Sequence, residues 1–180
     1  MIKELWRHLG ILATYLLMVM VLRWEWSWGW VGLWIGGGVG FCLTYIDRLI
    51  YVYWLHPEED LSRLVRDLVK QRKWKLALKE VHQRRNEQAK LTTRSAVFVM
   101  AWMPLALFAV TSTGSVFAEG LVMGLGLHML YDLWRDQQLD PKALNKKLFW
   151  QIKREVSPDE QKKFLYVFSG VFGLLTLLVI

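Results

Sequence analysis

Five apolar blocks divide this chain, at residues 9–22, 30–46, 95–110, 115–131 and 164–180. Of its 180 residues 54% are hydrophobic, and they are concentrated in these blocks rather than spread evenly. Runs of that length suit membrane spans better than the periodic faces of a soluble core. The expected fold is therefore all-α. It is a polytopic bundle of five transmembrane helices with amphipathic cytoplasmic helices, making one membrane domain over residues 1–180.

The connections orient it. Residues 47–94 hold twelve Lys/Arg and seven Asp/Glu, and residues 132–163 hold eight and six. Between the third and fourth blocks lies only the uncharged "TSTGS". Lys/Arg bias retains loops on the cytoplasmic side, and Lys3 and Arg7 add to it at the N-terminus. The N-terminus and both long connections are expected inside a bacterial cytoplasmic (inner) membrane, with Ile180 outside. The first block follows a basic start, as in a signal peptide, but no small-residue cleavage pattern follows it, so it reads as an uncleaved span. The net charge of +7 then points to anionic lipid at the cytoplasmic face. Nucleic acid is not expected, since acids are interleaved throughout the basic stretches. A lone Cys42 excludes an intramolecular disulfide and any paired-cysteine metal site.

The stretch "RWEWSWGW" at residues 23–30 places Trp24, Trp26, Trp28 and Trp30 on alternate positions. The pattern imitates a strand but falls on the first outer turn. Trp6 and Trp24 bracket the first span about 27 Å apart on a helix, close to the hydrocarbon thickness of about 30 Å. Indole rings prefer the headgroup boundary, so all four are expected to anchor the turn there.

Helices are expected within the cytoplasmic connections. Residues 56–94 form a helical insertion, with Leu61, Leu64, Val65, Leu68 and Val69 at helical spacing, then Trp74, Leu76, Leu78 and Val81. One long helix or two short ones fit. Residues 140–157 read as a single amphipathic helix from Asp140 and Pro141, lying on the inner leaflet or packed on protein. Ser157, Pro158 and Glu160 form a capping-box start for the last span.

Inside the spans, Gly32, Gly36 and Gly40 recur every four residues, as do Gly120 and Gly124. Such spacing lets two helix backbones approach closely. Packing within the chain is favoured over homodimerisation. Pro104 removes a backbone donor from the third span and is expected to kink it. Charges in or near a span need a partner, water or a task. Arg23 and Glu119 can pair at the outer end. At the inner end, Asp47, Arg94, Ser95, His128 and Asp132 close or open three spans at one depth. Arg94 is expected to neutralise Asp47 or Asp132. A histidine with two carboxylates is also chemistry that binds a divalent metal.

Three of these stretches, "YIDRLIY", "TTRSAVF" and "GLGLHMLYD", together resemble the motifs of the membrane-bound metal-dependent hydrolase family. That family shows a DxD-like motif after one span, a His-Ser pair before a later one, and HxxxD at the end of the next. Asp47, Ser95, His128 and Asp132 match. Tyr45 stands in place of the second acid and Arg94 in place of the motif's histidine. The resemblance implies a divalent metal on Asp47, His128 and Asp132, and hydrolysis at the inner leaflet. In layout, in the "TSTGS" turn and in "FWQIKREVS", the chain also resembles small multi-span proteins of unassigned role from reduced-genome bacteria. Three functions are expected in order of weight. The first is a non-catalytic scaffold that interacts with lipid or a protein partner. The second is a metal-dependent membrane hydrolase or a degenerate relative, and the third a transporter component.

Overall fold

The computed structural model describes residues 2–24, 28–84, 88 and 90–180. Glu25 and Trp26 lie outside these, as does the side chain of Lys3. Among the described residues the fold is helical, without strands. The helices are α1 (Ile2–Arg23), α2 (Gly29–Ile50), α3 (Asp60–Lys70), α4 (Trp74–Gln83), α5 (Ala96–Ser112), α6 (Val116–Leu139), α7 (Pro141–Leu148) and α8 (Pro158–Val179). A π-helical turn, Tyr51–Leu55, prolongs α2. Four of these helices are long and apolar enough to cross a membrane: α1, α2 with its π-turn, α6 and α8. The apolar α5 is shorter, at 17 residues.

The centre of the fold is the pairing of α2 with α6, and glycine makes it. Gly36 and Gly40 face the carbonyls of Phe117 and Leu121, while Gly120 and Gly124 face those of Leu33 and Gly37. A Cβ at any of the four would lie well under 3.0 Å from a backbone oxygen. Gly32 is looser, 3.5 Å from the Phe117 nitrogen. The two sets of glycines therefore interlock backbone to backbone inside one chain, so their spacing is accounted for without a second copy.

Around this pair, α8 packs on α5 and α6. The Trp102 ring meets Phe168 edge-on at 5.5 Å, and its Nε1 donates to the Val122 carbonyl at 3.1 Å. Gly126 leaves the space that this indole fills. Trp134 Nε1 donates to Ser169 Oγ at 2.9 Å, and Tyr15 and Thr176 join α1 to α8 by a hydroxyl pair at 3.1 Å. The outward faces are apolar: Leu105, Phe108, Tyr166, Val167, Leu174 and Leu177 are all more than half exposed. An apolar surface of this extent suits lipid rather than water.

Several expectations change on the structure. Trp24 and Trp28 are exposed, but Trp30 is buried, because it shares the inward stripe of α2 with Leu33 and Gly37. Of the described rings in that turn, two therefore face outward. Trp24 itself has φ of 53°, in the left-handed region. The helix expected over 140–157 stops at Leu148. The cause is tertiary: Asn145 Nδ2 donates to the Val156 carbonyl at 3.0 Å and to Gln161 Oε1 at 2.8 Å, which needs the intervening chain to fold back. Leu144 and Leu148 are buried, so this helix rests on protein.

The insertion forms two helices. The α3 helix ends in a Schellman turn, with Arg72 N–H on the Val69 carbonyl and Lys73 N–H on the Leu68 carbonyl, both at 2.9 Å. Arg72 holds the left-handed position at φ 58° where glycine is usual. Leu61, Val65, Leu68, Ala77, Val81 and Val52 make a small second core. The Ser157 capping box is present, with Ser157 and Glu160 bonded reciprocally. α5 runs on through Pro104, which lies on its exposed face.

Candidate functional site

The polar side chains concentrate where α1, α2, α5 and α6 meet at the end of the bundle opposite the 113–115 turn. His128, Asp132 and Asp136 lie four residues apart and so share one face of α6. His128 is buried and touches α2. Its Nδ1 donates to the Phe41 carbonyl at 2.7 Å, and Thr44 Oγ1 lies 2.7 Å from the same nitrogen. Its Nε2 faces Asp132 Oδ2 at 3.4 Å.

Arg94 supplies the counter-charge. It stands just before Ser95, the N-cap of α5, and its Nη2 pairs with Asp132 Oδ2. Its Nη1 lies 3.8 Å from Asp136 Oδ2. Of the two partners expected for this cation, the structure gives it Asp132 and adds Asp136.

Asp47 does different work. It is buried at the end of α2, and its Oδ2 accepts from the Thr93 N–H at 2.9 Å and from Thr93 Oγ1 at 2.8 Å. It thereby fastens the turn that enters α5. Ser95 is likewise spent on the backbone, accepting from Phe98 N–H at 3.2 Å and donating to the Thr92 carbonyl at 2.9 Å. At the far end of the bundle, Arg23 Nη1 donates to Glu119 Oε2 at 2.9 Å.

One member of the cluster is absent from the sequence reading. His8 of α1 is buried, its Nδ1 is 3.0 Å from the Tyr45 hydroxyl, and its Nε2 is 4.0 Å from Asp132 Oδ1. Its ring stands edge-on to Tyr131 at 4.9 Å and lies 5.4 Å from that of His128. Tyr45, which replaces an acid of the hydrolase motif, is therefore the hydrogen-bond partner of His8. The available signal was an ionisable side chain one residue before the first apolar block.

The space left inside is small. A cavity of about 20 Å³ lies among Thr44, Thr93, Arg94, Asp132, Asp136 and Lys147. That is room for about one water, whereas pockets for organic ligands run from about 300 Å³ upward. Among the described residues, no group of three or more His, Cys, Asp or Glu is arranged to hold a metal ion. Comparison with protein-family models, with curated proteins and with solved structures gives no match.

Proposed function

We propose that this chain is a non-catalytic scaffold of the bacterial cytoplasmic membrane, and that its inner polar cluster is a structural junction between spans. The observation that carries the proposal is where the candidate ligands are spent. Asp47 is held by Thr93, Asp132 by Arg94, and His128 Nε2 faces the same Asp132 carboxylate that Arg94 neutralises. A guanidinium on the central carboxylate opposes a divalent cation there, and a cavity of about 20 Å³ leaves no place for an ester or amide substrate.

In this reading α5 is the fifth span, since 17 residues cover about 26 Å. The N-terminus and the connections bearing α3, α4 and α7 face the cytoplasm, by the Lys/Arg bias, and the C-terminus lies outside. The exposed basic surfaces of those connections meet anionic lipid or a protein partner. Buried polar groups in a bundle fix which helices pair and in what register, and a scaffold requires that constancy.

Metal analysis of the purified full chain tests the proposal against hydrolysis. The scaffold reading predicts no stoichiometric divalent metal and no change in thermal stability on chelation. Stoichiometric metal that disappears in Asp132→Ala and His128→Ala variants would overturn it.

A further inference from the structure

A larger groove lies beside the junction, and its chemistry is different. The last turn of α6, one face of α7, the segment 149–156 and the first turn of α8 border an open groove of about 910 Å³. The walls are held by amide side chains. Gln161, itself buried, donates from Nε2 to Gln137 Oε1 at 2.6 Å and to the Pro141 carbonyl at 3.1 Å. Its Oε1 accepts from Asn145, which also holds the Val156 carbonyl. The groove is thus a braced feature of these segments and not a gap between loose ones.

Its lining pairs apolar surface with cations. Phe149, Trp150 and Val156 line it beside Lys142, Lys146 and Lys162, with Glu155 as the one acid. The three lysines are exposed or line the opening, and they make no ion pair among the described residues. Arg154 also lines the groove but is engaged by Glu160 at 2.8 and 3.1 Å. Depth is given by α8. Lys162 stands two residues before the apolar stretch 164–180, which at 1.5 Å per residue covers about 25 Å. The lysines therefore sit at headgroup level when that stretch crosses the hydrocarbon.

We infer that this groove binds the phosphodiester headgroup of an anionic glycerophospholipid of the inner leaflet. Lys142, Lys146 and Lys162 meet the phosphate, and Phe149, Trp150 and Val156 meet the glycerol and upper acyl region. The inference rests on the proposed membrane reading and orientation, and it names the lipid class and the site. A free phosphate would satisfy the cations but leave the apolar lining in water. A lipid satisfies both, because the groove opens at the bilayer boundary.

The test uses the full chain, purified in neutral detergent and stripped of lipid. Thermal stability is followed during titration with phosphatidylglycerol, phosphatidylcholine or inorganic phosphate. Phosphatidylglycerol is expected to stabilise, and the other two are not. The combined K142Q/K146Q/K162Q variant is expected to bind phosphatidylglycerol about a hundredfold more weakly, since each lysine near an anionic surface contributes about fivefold. A K75Q/K79Q control on α4, whose lysines lie outside the groove, should lose far less affinity. Independently of any variant, phosphatidylglycerol should protect those three lysines of the native chain from acetylation, read by mass spectrometry.

Equal response to phosphatidylcholine or to inorganic phosphate would overturn the inference. So would unchanged affinity in the triple variant, equal loss in the control, or absence of protection. Alkaline extraction of the native chain separates the two levels. A chain that stays in the membrane pellet but shows no lipid preference removes the groove site alone. A chain that is released removes the membrane reading with it.

Discussion

Adding one methyl group at Gly40 is the sharpest perturbation of this bundle. Its Cβ would point into the Leu121 carbonyl, with the Leu125 nitrogen 3.0 Å away. Both are main-chain atoms of α6, so no rotamer change relieves the clash and the helices must separate. Overpacking of this kind costs about 1–3 kcal/mol, sometimes more. Losing close Cα–H···O contacts adds about 0.5–1 kcal/mol each. The better helix propensity of Ala returns up to about 1 kcal/mol. The net expectation for Gly40→Ala is a loss of about 1–3 kcal/mol. Gly38→Ala is the internal control: it lies on the same helix, two residues away, with nothing within 4 Å of an added Cβ. It should be neutral or stabilising by up to about 1 kcal/mol. The assay is reversible unfolding in mixed micelles, comparing both variants with the parent. Equal effects at the two positions would refute the packing argument, because intrinsic propensity would then explain everything. Gly124→Ala should behave as Gly40→Ala does, from the opposite side of the same seam.

Arg72→Gly should stabilise the α3–α4 pair by about 1 kcal/mol, because φ of 58° costs an L-residue roughly 1 kcal/mol; slower amide exchange over residues 60–83 would show it, and unchanged exchange would contradict it. Replacing Trp24 and Trp28 with Leu should lower the tryptophan quenching caused by lipids brominated near the headgroup, as both rings are exposed at the end of α1 and the start of α2, while the exposed Trp6 and Trp54 keep their share; quenching that persists undiminished would place the anchors elsewhere. In a Cys42→Ser background, Thr113→Cys should react with an impermeant thiol reagent in intact cells and Lys73→Cys should not; the reverse pattern would invert the orientation.

What the sequence made legible follows the range of each interaction. The long apolar helices, the Ser157 capping box and the glycine series rest on local composition and spacing, so they could be read directly. The packing role of Gly36 against the Phe117 carbonyl could be anticipated only as a type of contact, not as a pair. The stop of α7 at Leu148 was not legible, because it depends on Asn145 reaching Val156 and Gln161 across a fold in the chain. The choice of Arg94 between Asp47 and Asp132 was open for a similar reason. Both carboxylates were expected at one depth, and the deciding group is Thr93, a neutral residue that satisfies Asp47. His8 was missed because its partners Tyr45 and Asp132 are contributed by α2 and α6, far along the chain. Lys147 is buried at the edge of the same cavity, and nothing in the sequence separates it from its exposed neighbour Lys146.

The central claim is that the inner cluster holds the bundle together, and a double-mutant cycle on Arg94 and Asp132 tests it most directly. The two side chains are 16% and 10% exposed, so Arg94→Ala leaves a nearly dry carboxylate without its main partner. Breaking a buried pair costs about 3–5 kcal/mol, and this one is expected near the lower end because both groups keep some exposure. Asp132→Ala should cost less, since Asp136 remains 3.8 Å from Arg94. The double variant should recover part of the loss, with a coupling of about 1–3 kcal/mol. The corresponding cycle on Arg94 and Asp47 should be additive to within about 0.5 kcal/mol, since Asp47 is held by Thr93. A coupled Arg94–Asp132 pair beside an additive Arg94–Asp47 pair is the result the structural account predicts. Additive losses at Arg94 and Asp132, with each variant still fully folded, would contradict it.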